Sequence, residues 1–169
     1  MNNGFTKMID RRETTVPGRH MSEETTESAS PKSRRILVVD DEPAARVLAR
    51  RVFSEAGFEV VTAQSGFECL KFFRREPRSF DLILLDLSMP FMDGEETFVR
   101  LREIFPEVVV LLSTGFMAQD RVDRMLAAGL AGFLRKPHKP DELLAIVQAT
   151  LEKVKMARAG CAITDSSSF

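Results

Sequence analysis

Tryptophan and tyrosine are both absent from the 169 residues. Their absence removes the amphipathic aromatic anchors that stable interfaces favour and leaves 13 phenylalanines to carry the aromatic bulk. Cysteine is scarce: Cys69 falls on the expected inner face of a helix and Cys161 in a polar tail, so no disulfide framework is possible. A reducing cytoplasm is the simplest compartment for such a chain. Of two histidines, His20 carries no readable role, and His138, with no second His nearby, reads as a solvated loop residue rather than a metal ligand. No apolar run approaches the ~20 residues a membrane span needs, and no secretory core follows the start. The net charge of −1, with no basic stripe interleaved with aromatics, argues against a nucleic-acid surface.

What is present is ordinary for a globular chain, 44% hydrophobic and 29% charged. Residues 1–33 read as a disordered leader, rich in Ser, Thr, Glu and Arg, in which Met21 is an alternative start. From there to about residue 155 the pattern alternates. The apolar run Ile36–Val39 reads as a first strand, and Pro43 opens a helix expected to bury Ala45, Leu48, Ala49 and Val52. Arg46, Arg50 and Arg51 fall on its opposite face, free to meet a partner. Residues 58–62 form a second strand, and Ser65 with Glu68 makes a capping box for a helix burying Cys69, Leu70 and Phe73.

The third strand, 82–86, is apolar on both faces and ends on Asp86. Gly94 begins a helix with Phe98, Leu101 and Phe105 inward, and residues 108–112 a fourth strand. A helix from about Ala118 uses Val122, Met125 and Leu126. Residues 131–134 make a short fifth strand, and Pro140 opens a last helix burying Leu143, Ile146, Val147 and Thr150. Residues 156–169 read as a flexible tail. Five strand–helix repeats with near-continuous apolar strands predict an open parallel sheet with helices on both faces.

In such a sheet the carboxyl ends of the strands share one edge, where ligands bind. Asp40, Asp41, Asp86, Thr114 and Lys136 all fall at those ends. Taken singly each has a plain explanation: two acids after a strand usually cap a helix, and a lone Asp or Thr usually shapes a turn. Their coincidence at one edge favours function. Carboxylates ~4 Å apart repel by ~4 kcal/mol at an effective dielectric near 20. A hard cation such as Mg²⁺ relieves that repulsion, and Lys136 adds a movable positive charge. The set would cage a tetrahedral anion on Asp86, and carboxylates do act as nucleophiles toward phosphorus.

The motifs Val38-Val39-Asp40-Asp41-Glu42, Leu85-Asp86-Leu87-Ser88-Met89-Pro90 through Gly94, Ser113-Thr114-Gly115 and Phe133-Leu134-Arg135-Lys136-Pro137 resemble those of two-component response-regulator receiver domains. The resemblance spans roughly residues 35–153, in a stand-alone architecture like that of the chemotaxis regulators. It implies a flavodoxin-like, doubly wound five-stranded parallel sheet of order 2-1-3-4-5 with five helices. It also implies a phosphorelay role, with Asp86 accepting a phosphoryl group from a sensor histidine kinase or a histidine phosphotransfer protein. Asp41, Asp86 and the Ser88 carbonyl would ligate Mg²⁺, Asp40 reaching it through water. Lys136, in an expected cis bond to Pro137, would hold the phosphoryl oxygens. Thr114 and Phe133 would form the switch, altering a target-binding surface of the fourth helix, fifth strand and fifth helix.

Three positions are the chain's own. Ser88 and Phe116 flank the site two residues after Asp86 and Thr114, and a bulky Phe116 would hinder the attacking water and give a long-lived phosphoprotein. His138 stands where the family often has an aromatic. The expectation is a signalling switch, with no enzymatic activity beyond its own phosphoryl transfer and autodephosphorylation. Output is then by protein–protein contact, with no nucleic acid and no membrane insertion. Two alternatives carry less weight. An aspartyl-nucleophile, metal-dependent phosphatase usually has a second Asp where Ser88 stands. A non-phosphorylated scaffold would have no need of the intact acids and Lys136.

Overall fold

The computed structural model describes residues 33–115 and 119–163. The leader expected over 1–33 therefore lies almost wholly outside the described residues, as do Phe116 and the last residues of the tail. The chain alternates strictly: β1 (Arg35–Val39), α1 (Pro43–Glu55), β2 (Glu59–Ala63), α2 (Gly66–Arg75), β3 (Leu82–Asp86), α3 (Gly94–Ile104), β4 (Val110–Thr114), α4 (Gln119–Ala127), β5 (Gly132–Arg135) and α5 (Pro140–Ile163). The strands form one parallel sheet in the order β2-β1-β3-β4-β5, as the resemblance implied. Register aligns Val39 with Leu85, Asp86 with Ser113, and Thr114 with Arg135. This brings the polar ends of four separate strands to one edge.

The sheet separates two apolar layers. One packs Leu37, Ile83, Leu85, Val110 and Leu112 against Phe73, Phe98, Leu101 and Met125 of α2, α3 and α4. The other packs Ile36, Leu82, Leu84 and Leu111 against Phe53 of α1 and Leu143 and Val147 of α5. Each fully buried aliphatic side chain contributes about 1.5–3 kcal/mol, and alternation along the strands feeds both layers.

Helix ends follow local chemistry. Ser65 accepts from the Glu68 amide at 3.3 Å, while the Glu68 carboxylate accepts from the Gln64 amide at 2.8 Å, one residue before the partner a capping box would give it. Asp93 caps α3 by accepting from the Glu96 amide at 2.9 Å.

Several expectations need correction. In α1 the buried positions are Ala49 and Phe53, not Leu48, which is 39% exposed. The i, i+4 pair Ala49 and Phe53 takes the core contact, in one cluster with Ile36, Leu82, Leu84 and Leu111. Leu48 instead lines a groove of about 420 Å³ with Ala44, Ala45, Pro137 and His138. Leu126 of α4 is likewise partly exposed, Val122 and Met125 taking the inward face. The fourth strand starts two residues later than expected, so Ser113 and Thr114 belong to the strand itself. Helix α5 continues to Ile163, past the boundary expected at 155, through the good helix formers Met156, Ala157 and Ala159.

Candidate functional site

β1 and β3 lie side by side, so Asp40, one residue past β1, meets Asp86 at the end of β3. Asp40 and Asp86 are almost fully buried, while Asp41 is exposed. One carboxylate oxygen from each of the three lies within 4.8 Å of the others. The Lys136 ammonium bridges two of them, 2.7 Å from Asp40 Oδ2 and 2.8 Å from Asp86 Oδ1. The Lys136–Pro137 bond is cis.

Backbone geometry holds these side chains in place. The Glu42 amide donates to Asp40 Oδ1 at 2.9 Å, and the Ser88 amide to Asp86 Oδ2 at 3.0 Å. The Lys136 amide donates to the carbonyl of Thr114 at 2.8 Å, which ties β5 to the fully buried threonine. The Gly94 amide donates to Leu87 O at 2.9 Å, and a Cβ at Gly94 would collide with the carbonyl of Asp86. Only glycine lets α3 start so close behind the phosphoacceptor candidate.

Burial pushes the Asp86 carboxyl up from its usual value, against the pull of the Lys136 hydrogen bond and charge. Burial also opposes the charge on Lys136, but hydrogen bonds to Asp40 and Asp86 outweigh it and raise the ammonium. One lysine thus serves two buried carboxylates, with a third acid beside them. A cluster of oxygen donors with surplus negative charge suits a hard divalent cation, so the residues present fit a metal of the Mg²⁺ type.

Of the expected site residues, Asp40, Asp41, Asp86, Ser88, Thr114 and Lys136 are brought to this edge, Phe133 is not among them, and Phe116 lies outside the described residues. Phe133 is half-buried on β5 beside Leu112 and packs on the α2–α4 layer. Two residues behave differently from expectation. Arg46 is not free: its guanidinium donates to the Asp40 carbonyl at 2.6 Å and steadies the turn that carries both acids. His138 is half-buried, its Nε2 3.5 Å from Ser113 Oγ and its buried Nδ1 without a hydrogen-bond partner. Burial first, and then the Lys136 charge, holds the imidazole below its ordinary value. The available signals were the place of Arg46 in the first turn after the acids and the place of His138 two residues after Lys136.

An open parallel sheet of order 2-1-3-4-5 with three acids and a lysine at its carboxyl edge defines a narrow class of proteins. Residues 36–148 match the model of the response regulator receiver domain, and the chain belongs to that family. It is 37% identical over 124 residues to response regulator MprA of Mycobacterium leprae, covering 72% of this chain and 52% of that protein. It is 30% identical over 119 residues to sporulation initiation phosphotransferase F of Bacillus subtilis, covering 70% of this chain and 94% of that protein. Among solved structures, a CheY-like receiver domain protein from Methanospirillum hungatei superposes with a TM-score of 0.70 at 27% identity, covering 74% of this chain and 98% of the other. The chain spans about half the length of MprA and of several other curated relatives it matches. Among the described residues, no helix is long and apolar enough to cross a membrane.

Proposed function

We propose that this receiver accepts a phosphoryl group on Asp86 from the phosphohistidine of a sensor histidine kinase or a histidine phosphotransfer protein, and acts as a cytoplasmic phosphorelay switch. The observation that carries the reading is the single Lys136 ammonium shared by Asp40 and Asp86 within a cluster of three carboxylates. A carboxylate oxygen of Asp86 attacks phosphorus in line. The P–O bond forms as the P–N bond to the donor imidazole breaks, and the imidazole leaves with the electron pair. Lys136 moves its contact to the new phosphoryl oxygens, and Thr114, at the end of β4, supplies a hydroxyl to them. Asp41, Asp86 and the Ser88 carbonyl would hold Mg²⁺, with Asp40 reaching it through water, and the ion would neutralise charge on the transferring group.

Loss of Lys136 from its two carboxylate partners, with the turn of Thr114 toward the phosphoryl group, frees Phe133 to pack further inward. That motion alters the α4–β5–α5 surface, where a downstream protein would read the state. The switch would catalyse only its own phosphorylation and dephosphorylation.

The test is intact mass after incubation with MgCl₂ and acetyl phosphate. One added phosphoryl group on the wild type, absent in Asp86→Asn and absent with EDTA, is the expected result. Turnover of an external phosphoester would point instead to a phosphatase, and an unchanged mass to a scaffold that has lost the chemistry.

A further inference from the structure

The loop from Leu87 to Asp93 is closed on itself beside the phosphoacceptor. At its start the Leu87 amide donates to Ser113 O at 2.9 Å; at its end the Gly94 amide donates back to Leu87 O at 2.9 Å. Both ends are thus pinned next to Asp86, and Phe91, between them, follows it by five residues. In the middle of the loop the Met92 amide donates to Pro90 O at 2.8 Å, an i to i+2 bond that closes a γ-turn about Phe91. Phe91 has φ of +65°, the only non-glycine residue with positive φ among the described residues.

A bulky side chain in this region costs ~1–2 kcal/mol relative to glycine. The Phe91 side chain does nothing to offset that cost in the free chain, because it is 96% exposed, more than any other large apolar side chain described. Met92, its neighbour, is buried and anchors the loop, so Phe91 itself does no packing work. An aromatic ring held outward by a strained turn, in a loop whose two ends are fastened beside Asp86, is poised to insert into a surface that approaches that residue.

We infer that Phe91 is an anchor for the protein phosphodonor, inserting into an apolar recess on the donor's surface when its phosphohistidine reaches Asp86. This inference rests on the phosphoacceptor reading above. The occupant follows from burial: the Asp86 side chain is only 4% exposed, so a protein-borne imidazole can reach it only if the donor's surface closes over the surrounding rim. A small donor makes no such contact. Phe91 therefore acts on recognition and leaves the acceptor chemistry alone.

The test compares Phe91→Gly with wild type using two donors. Purified, radiolabelled kinase phosphotransfer domains and histidine phosphotransfer proteins are screened as a panel on wild type, and the fastest becomes the protein donor; acetyl phosphate is the small one. The expected result is a fall of about tenfold or more in kcat/KM for the protein donor, mostly through KM. The acetyl phosphate rate should stay within about twofold, and Tm should not drop, since glycine relieves the turn. Phe91→Tyr, which keeps the ring, should restore transfer. Unchanged protein-donor transfer in Phe91→Gly, a parallel loss with acetyl phosphate, or a wild type that no panel member phosphorylates would each overturn the inference. Failure of acetyl phosphate to label wild-type Asp86 would instead sink the functional reading itself.

Discussion

The two ends of the sheet hold similar charged groups under opposite conditions. At the amino-terminal edge Arg35 pairs with Glu59 at 2.6 Å and Glu76 at 2.9 Å, lies over the ring of Phe80, and donates its amide to Asp81. The carboxylates there are more than half exposed. At the carboxyl edge Lys136 pairs with two carboxylates at nearly the same distances, but those are 7% and 4% exposed. Water screens the first set, and each pair contributes at most about 1 kcal/mol. The second set is desolvated, so its charges are costly to bring together and costly to separate. Equal geometry therefore has unequal consequences: one end decorates the fold, and the other stores electrostatic tension of the kind a hard divalent cation would relieve.

Lys136→Met should break this contrast most severely. It leaves Asp40 and Asp86 facing each other without a counter-charge, and should cost about 2–3 kcal/mol by urea unfolding. Excess MgCl₂ should recover part of that loss and EDTA should remove the recovery, whereas wild type should respond less. Gly94→Ala comes next, at about 2 kcal/mol, since the added methyl meets the Asp86 carbonyl and the Leu87 backbone, which cannot yield as a side-chain tip would. Acceptance of phosphate should fall with it, because Asp86 must shift.

His138 sharpens the contrast through pH. Its folded value lies below the ordinary 6.5, so the unfolded chain binds its proton first and stability is lost as pH falls below about 6.5. His138→Gln should flatten that part of the stability–pH curve, measured by Tm between about pH 7 and 5, and leave neutral-pH stability within about 0.5 kcal/mol. Smallest of all should be Glu76→Ala at the opposite end, under about 0.5 kcal/mol and smaller still in high salt, because the pair it breaks is exposed.

Legibility followed the range of the forces involved. Strands such as Ile36–Val39 and Leu82–Asp86 were plain because burial on both faces leaves continuous apolar runs. Helix starts at Pro43, Ser65 and Pro140 were plain because capping is local. The exposure of Leu48 was not, since the helical spacing of α1 is the same whether or not a distant element covers that position. Arg46 read as a free docking residue because no local pattern shows that its guanidinium folds back onto the Asp40 carbonyl. The half-burial of His138 depends likewise on β4, which supplies Ser113 from 25 residues away.

The sequence by itself determined the alternation of strands and helices, the two-sided burial of the sheet, and the list of acids, threonine and lysine at the strand ends, because each is written in spacing or side-chain type. Only the tertiary structure decided that one ammonium serves two buried carboxylates, that Arg46 turns inward, and that Phe91 stands outward on a strained loop. Those outcomes depend on how far each group is removed from water and on which distant backbone atom it meets. No stretch of chain carries that information until the sheet brings its edges together.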